Sequence, residues 1–175
     1  GMGKTRLAQE AARTLASDLK PPGFEDGIYF VSLAAADSET RMLLSIGETL
    51  GLSFAVGDDP KQKIGGYLAE RSLLLVLDNF EQLVTAAGVL SDLLKTAPAL
   101  TILVTSRDYL NLYEEWLFDL DGLAVPSLDV DIQPDSLSAY GAVQLFQQRA
   151  QRLNRRFDFA LHGESIARIC NLVQG

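Results

Sequence analysis

Several residue types are scarce in this 175-residue chain, and each scarcity narrows what it can be. A single cysteine, Cys170, excludes an intrachain disulfide and fits a reducing cytoplasm. A single histidine, His162, leaves no Ser/His/Asp or Cys/His pairing to assemble. No run of about 18 apolar residues occurs, so no membrane span is expected. The first residues read as a charged amphipathic helix without an apolar core, which is not a signal peptide. Basic residues are outnumbered 15 to 23, for a net charge of −8. That argues against a broad nucleic-acid surface on this segment. It leaves room for a nucleotide, which local N–H groups and one lysine can hold. What is plentiful is apolar: 47% of residues against 22% charged, enough for one α/β domain and short for two.

Helix and strand patterns alternate along the chain, which argues for a parallel sheet with helices on both faces. The first helix is expected over 6–19, with Leu7, Ala8, Ala11, Leu15 and Leu19 as its apolar stripe, ended by the prolines at 21 and 22. A strand follows at 27–33, and then a helix capped by Asp37 or Ser38 and running to about Leu50. A shorter helix is expected over 61–71. The run S-L-L-L-V-L at 72–77 reads as a central buried strand, 80–95 as a helix and 100–105 as another strand. A last, shorter strand is predicted at 116–120, a connector with two prolines over 121–134, and helices over 136–153 and 164–173. The inward positions of these two helices are Tyr140, Val143, Phe146 and Ala150 in the first and Ile166, Ile169, Cys170 and Val173 in the second.

Gly1-Met2-Gly3-Lys4-Thr5 matches the second half of the phosphate-loop pattern G-x-x-x-x-G-K-[ST]. In that pattern backbone N–H groups cradle phosphate oxygens, the lysine reaches the β/γ-phosphates and the hydroxyl holds Mg²⁺. Gly1-Met2 is either the remnant of a tag ahead of an initiator methionine or the native pair inside a longer loop. An intact relative should carry a strand and the whole loop upstream, and the chain as given should bind ATP poorly. Asp78 follows four apolar residues, at the carboxyl end of its strand. Ligands of open parallel sheets sit there, so Asp78 is a candidate for the Mg²⁺ shell that Thr5 also touches. Thr105-Ser106-Arg107 ends the next strand in the same way, and the fork of an arginine there suits a terminal phosphate. His162 and the pair Glu114-Glu115 are expected to face solvent, and Cys170 to be a buried, inert thiol. Asp129, Asp131 and Asp135 lack the glycine and spacing of a calcium loop.

Four segments in order, G-K-T-R-L-A, L-L-L-V-L-D-N-F-E-Q-L, I-L-V-T-S-R-D-Y-L and A-V-Q-L-F-Q-Q-R-A, resemble the NB-ARC-like STAND ATPases. The likeness is greatest to the bacterial LuxR-type and AfsR/SARP-type regulators. It extends through E-W-L-F-D-L at 115–120 to I-C-x-x-x-x-G at 169–175. The resemblance implies a P-loop NTPase fold of ASCE/STAND type without its first strand. Residues 1–126 would be a truncated nucleotide-binding α/β domain, and 127–175 a connector and the start of a helical, ARC-like subdomain. It also implies ATP/ADP and Mg²⁺ as cofactors, bound by Gly1, Gly3, Lys4, Thr5 and Arg6, with Thr5 and Asp78 on the metal. Asp78 would be the Walker B carboxylate, Arg107 the sensor, and Glu81 the nearest acid to activate water. Position 79 is asparagine where many P-loop ATPases carry a second acid, so hydrolysis should be slow.

The function expected is therefore the nucleotide-binding core of a signalling ATPase switch from a transcriptional regulator, an ATPase in the intact protein and inactive in this segment. A DNA-binding domain would lie elsewhere in the full protein. An inactive P-loop scaffold and, less favoured, a small-molecule kinase remain as alternatives. In the family the missing strand lies between the strands at 100–105 and 116–120. Three outcomes are open: the latter closes up on the former, a neighbouring chain inserts a strand, or the latter detaches and the former becomes an edge. Closure or intermolecular pairing is favoured, because an exposed apolar edge invites association.

Overall fold

The computed structural model describes residues 3–17, 22–127, 137–155, 157–159 and 161–173. They fall into two compact units, Lys4–Phe118 and a second made of Gly3 and the described residues from Asp119 onward.

The first unit is built on three parallel strands in the order β1 (Ile28–Ser32), β2 (Leu73–Asp78), β3 (Leu100–Val104). Val31 stands opposite Leu77 and Ser32 opposite Asp78, while Leu77 pairs with Val104 on the other side, so all three strands end at one level. Around them lie α1 (Lys4–Ala16), α2 (Glu39–Thr49), α3 (Pro60–Leu68), a 3-10 helix (Phe80–Ala86) and α4 (Gly88–Thr96). The helix starts follow local chemistry. Ser38 caps α2 by accepting from the Arg41 N–H, and Asp59 caps α3 by accepting from the N–H groups of Lys61 and Gln62, with Pro60 in the first turn.

All six residues of β2 are buried, and their alternation divides them between two layers. Leu73, Leu75 and Leu77 join the large core with Met42, Ile46, Ile64, Leu68, Phe80, Leu90 and Leu93. Leu74 and Val76 face the other way and pack on Ala8 and Ala12 of α1, with Phe24, Ile28 and Phe30 alongside. The apolar stripe predicted for α1 is thus corrected. The helix buries Ala8 and Ala12, while Leu7, Ala11 and Leu15 are exposed, and Leu19 lies outside the described residues. Small side chains let the helix axis come close to the leucine layer, and the larger ones are left at its flanks.

The strand predicted at 116–120 is not formed, and its expected closure on the preceding strand does not occur. Among the described residues β3 is an edge strand. Trp116 and Phe118 are 97% and 81% exposed. Without a ladder partner an extended segment gains nothing from strand geometry, and water satisfies its backbone groups.

In the second unit α5 (Gly141–Leu153) and α6 (Gly163–Leu172) enclose a small cluster of Leu137, Ala142, Val143, Ile166, Ala167 and Cys170. Asn171 Nδ2 ties α6 to the connector by donating to the Pro126 carbonyl at 2.8 Å. Ile169 and Val173, expected inward, are exposed, and Ala167 takes the inner position instead. The buried set 163, 166, 167 and 170 is as wide a stripe as the predicted 166, 169, 170 and 173, shifted toward the start of the helix. His162 is exposed as expected, and its ring stacks on Phe157 with centroids 5.5 Å apart. Asp129, Asp131 and Asp135 lie outside the described residues.

Candidate functional site

Asp78 is the last residue of β2 and only 7% exposed, so its carboxylate needs partners. It has two. Thr5 Oγ1 donates to Asp78 Oδ1 at 2.7 Å, across 73 residues of sequence. Thr105 Oγ1 donates to the same oxygen at 2.6 Å, and Thr105 is as buried as Asp78. The Thr105 hydroxyl in turn accepts from the backbone N–H of Asn79 at 3.0 Å. Asp78 Oδ2 accepts no hydrogen bond among the described residues.

Backbone bonds hold these groups in register. The Thr105 N–H donates to Leu77 O, the Phe80 N–H to Thr105 O and the Leu33 N–H to Asp78 O, all at 2.9 Å. Between them Asn79 takes a left-handed conformation, φ 69° and ψ 54°, and turns the chain into the 3-10 helix. Asparagine is one of the few side chains that enters this region at low cost. This backbone favours asparagine or aspartate at position 79 over a longer side chain such as glutamate.

The other predicted positions are distributed as follows. Gly3 has φ +76°, a conformation suited to glycine, and leads into Lys4, the first residue of α1. Lys4 is half-buried and makes no ion pair among the described residues, so its ammonium is available. Arg6 is exposed and lies 3.7 Å from Glu10 one turn along α1. Arg107 Nε lies 3.4 Å from Glu81 Oε1, with the arginine 76% exposed and the glutamate 23%. The arginine predicted as sensor and the acid predicted to activate water are therefore engaged with each other. Gly1 lies outside the described residues. Glu114 is exposed as expected and Glu115 is half-buried, and each accepts a hydrogen bond. Glu114 accepts from the Ser91 hydroxyl at 2.8 Å, which lowers its pKa, and Glu115 accepts from the Leu110 N–H at 3.0 Å.

The structure brings together Thr5 and Asp78 as predicted partners and adds Thr105, whose hydroxyl the sequence reading passed over in favour of the nearby arginine. A threonine closing a buried strand beside a strand that closes in aspartate was the available signal. Among the described residues no three His, Cys, Asp or Glu side chains gather around a possible metal position. No helix among them is long and apolar enough to cross a membrane.

The whole chain is similar to segments of longer proteins from Mycobacterium tuberculosis. It is 32% identical over 177 aligned positions to the protein named "Putative HTH-type transcriptional regulator Rv0890c", and 29% identical over 179 to "Uncharacterized protein Rv0894". The chain spans 18% of the length of the former and 40% of the latter. No protein-family model and no solved structure matches it.

Proposed function

We propose that the Lys4–Phe118 unit binds the phosphates of ATP or ADP together with Mg²⁺, as the nucleotide-dependent switch of a larger cytoplasmic transcriptional regulator of STAND type with a P-loop NTPase fold. The observation that carries this reading is the 2.7 Å bond between Thr5, in the first turn of α1, and Asp78, at the carboxyl end of β2. A hydroxyl and a carboxylate are the hard oxygen donors that Mg²⁺ accepts, and two such ligands suffice for an ion that keeps several waters. The donor set therefore fits the ion. When bound it would neutralise charge on the β- and γ-phosphate oxygens.

Each residue of the chain then has a distinct task. Lys4 supplies a point charge to the phosphates from the helix N-terminus, where the macrodipole also favours anions. Asp78 holds its carboxylate at the level of the strand ends. Arg107 has to leave Glu81 before it can touch a γ-phosphate, so its response to ATP is an exchange of partners. Glu81 is held against Arg107 and Asn79 supplies no acid, which supports binding with slow turnover. The relatives' naming as HTH-type regulators supports a regulatory setting, with DNA contact made by a part of the protein outside this segment. The exposed apolar segment at 116–118 and the free edge of β3 support self-association.

The test is equilibrium binding of labelled ATP and ADP to the full-length protein with and without Mg²⁺. Lys4→Ala is expected to abolish tight binding. Asp78→Asn is expected to reduce the effect of Mg²⁺ more than binding itself. Equal affinity of both variants and the wild type would remove the assignment. Tight ATP binding with no detectable turnover would favour an inactive scaffold, a reading to which the Glu81–Arg107 pair already lends weight.

A further inference from the structure

The carboxylate of Asp78 receives two hydroxyls on one oxygen, and they differ in kind. Thr5 sits on the exposed first turn of α1. Thr105 is 7% exposed and anchored on both sides by backbone, through its own N–H to Leu77 O and its own carbonyl from the Phe80 N–H. Its hydroxyl also has a fixed polarity. The Asn79 N–H occupies an acceptor site on Thr105 Oγ1, so the hydroxyl hydrogen points to Asp78 Oδ1. A relay runs from the Asn79 amide through the Thr105 hydroxyl to the carboxylate, linking the turn after β2 to the residue that follows β3.

We infer that Thr105 is a positioning residue for the cation site: it clamps Asp78 through Oδ1 and thereby presents Oδ2 to the Mg²⁺ shell, whatever Thr5 is doing. This rests on the nucleotide reading above. An ionised carboxylate has about four acceptor positions on two oxygens. With Thr5 and Thr105 both on Oδ1, the second oxygen is left in one defined orientation for a metal or a metal-bound water. When Thr5 turns its oxygen to a cation, Thr105 keeps the carboxylate from rotating with it. A valine at 105 has almost the same shape but no hydroxyl, and would leave Asp78 free to rotate and the Asn79 N–H without its acceptor.

The experiment measures ATP affinity of the full-length protein across a Mg²⁺ titration, for wild type, Thr105→Val, Thr105→Ser and Asp78→Asn. In Thr105→Val the gain in ATP affinity produced by Mg²⁺ is expected to fall about tenfold, with the Mg²⁺-free affinity changed less than about twofold, the equivalent of one lost charge-assisted hydrogen bond. Thr105→Ser, which keeps the hydroxyl, is expected to restore the gain. If Thr105→Val keeps the full Mg²⁺ gain while Asp78→Asn loses it, the nucleotide reading stands and the clamp is overturned. If wild type shows no Mg²⁺-dependent ATP binding at all, the reading fails and the clamp with it. A measurement on the wild type without nucleotide guards against a variant that does not fold. The Thr105 hydroxyl proton should be visible by NMR as a slowly exchanging resonance close to Asn79 HN, and a freely exchanging one overturns the clamp.

Discussion

The two faces of the sheet are covered very differently. On one, α2, α3, the 3-10 helix and α4 bury a core of twenty residues that takes in Leu73, Leu75 and Leu77. On the other, among the described residues, a single helix meets the sheet through two alanines, over Leu74 and Val76. Thr101 and Leu103, which pair with those two residues in register, remain exposed on β3. The first face makes the unit stable, because apolar burial scales with area removed from water. On the nucleotide reading proposed above, the second carries the chemistry, since Lys4 and Thr5 belong to α1 and reach the strand ends only as well as α1 is held. A group that must exchange partners sits more usefully on the thinly packed side, where small displacements cost little.

The largest test of this contrast is truncation on each face. Leu75→Ala, in the thick core and fully buried, is expected to cost about 2–5 kcal/mol of unfolding free energy. Leu7→Ala, on the exposed flank of α1, should change it by no more than about 0.5 kcal/mol. Denaturant midpoints at equal m-values would measure both, and similar losses would erase the distinction.

Next in size is Gly47→Ala on α2. A Cβ placed there runs into the ring of Phe54, which packs against the same core. Overpacking of this kind costs about 1–3 kcal/mol. The added Phe54→Leu replacement should return part of it, and strict additivity in the double mutant would contradict the steric cause.

The turn after β2 gives a sharper, smaller contrast. Asn79→Gly should leave stability within about 0.5 kcal/mol, since glycine enters the left-handed region freely, whereas Asn79→Val should cost about 1–2 kcal/mol. Thermal melts of the two variants check this, and equal melting points would show that the turn conformation is not what selects the residue.

The smallest expected effect is a pH dependence confined to the thick side. Lys61 donates to Asp92, and the hydrogen bond holds the Asp92 carboxyl below the ordinary aspartate range while raising Lys61. A depressed carboxyl pKa means stability present above the unfolded aspartate value and lost as pH falls through the folded one. The raised lysine pKa means stability present below the ordinary lysine value and lost as pH rises through the folded one. Both groups are solvent-exposed, so the effect is slight. NMR titration of Asp92 in wild type and Lys61→Met should show the depression vanish, and an unchanged midpoint would assign it to another cause.

Much of the first unit was readable in advance. The three strands, α2 and α3 fall where the apolar runs place them, because β2 is short, uniformly apolar and bounded by charge. Asp78 could be singled out from its place after that run. The single helix expected over 80–95, by contrast, is split at Ala87 into the 3-10 helix and α4. The other misses share one origin. The stripe of α1, the strand at 116–120 and the inner face of α6 all depend on what lies opposite, and periodicity says only which residues share a side. The Thr105 hydroxyl was hidden for a similar reason: its partners, Asp78 and Asn79, are 27 and 26 residues away.

What the sequence by itself determined is the parallel order of alternating elements, the polar strand ends and the absence of disulfide, triad and long apolar span. These follow from residue type and local period, which the chain carries at every position. Only the tertiary structure decided that α1 docks through two alanines, that residues 116–120 form no strand with the described residues, that Arg107 rests on Glu81 and that two threonines converge on one oxygen of Asp78. Each of those depends on distances between segments far apart in sequence, and such distances are set by how whole faces pack.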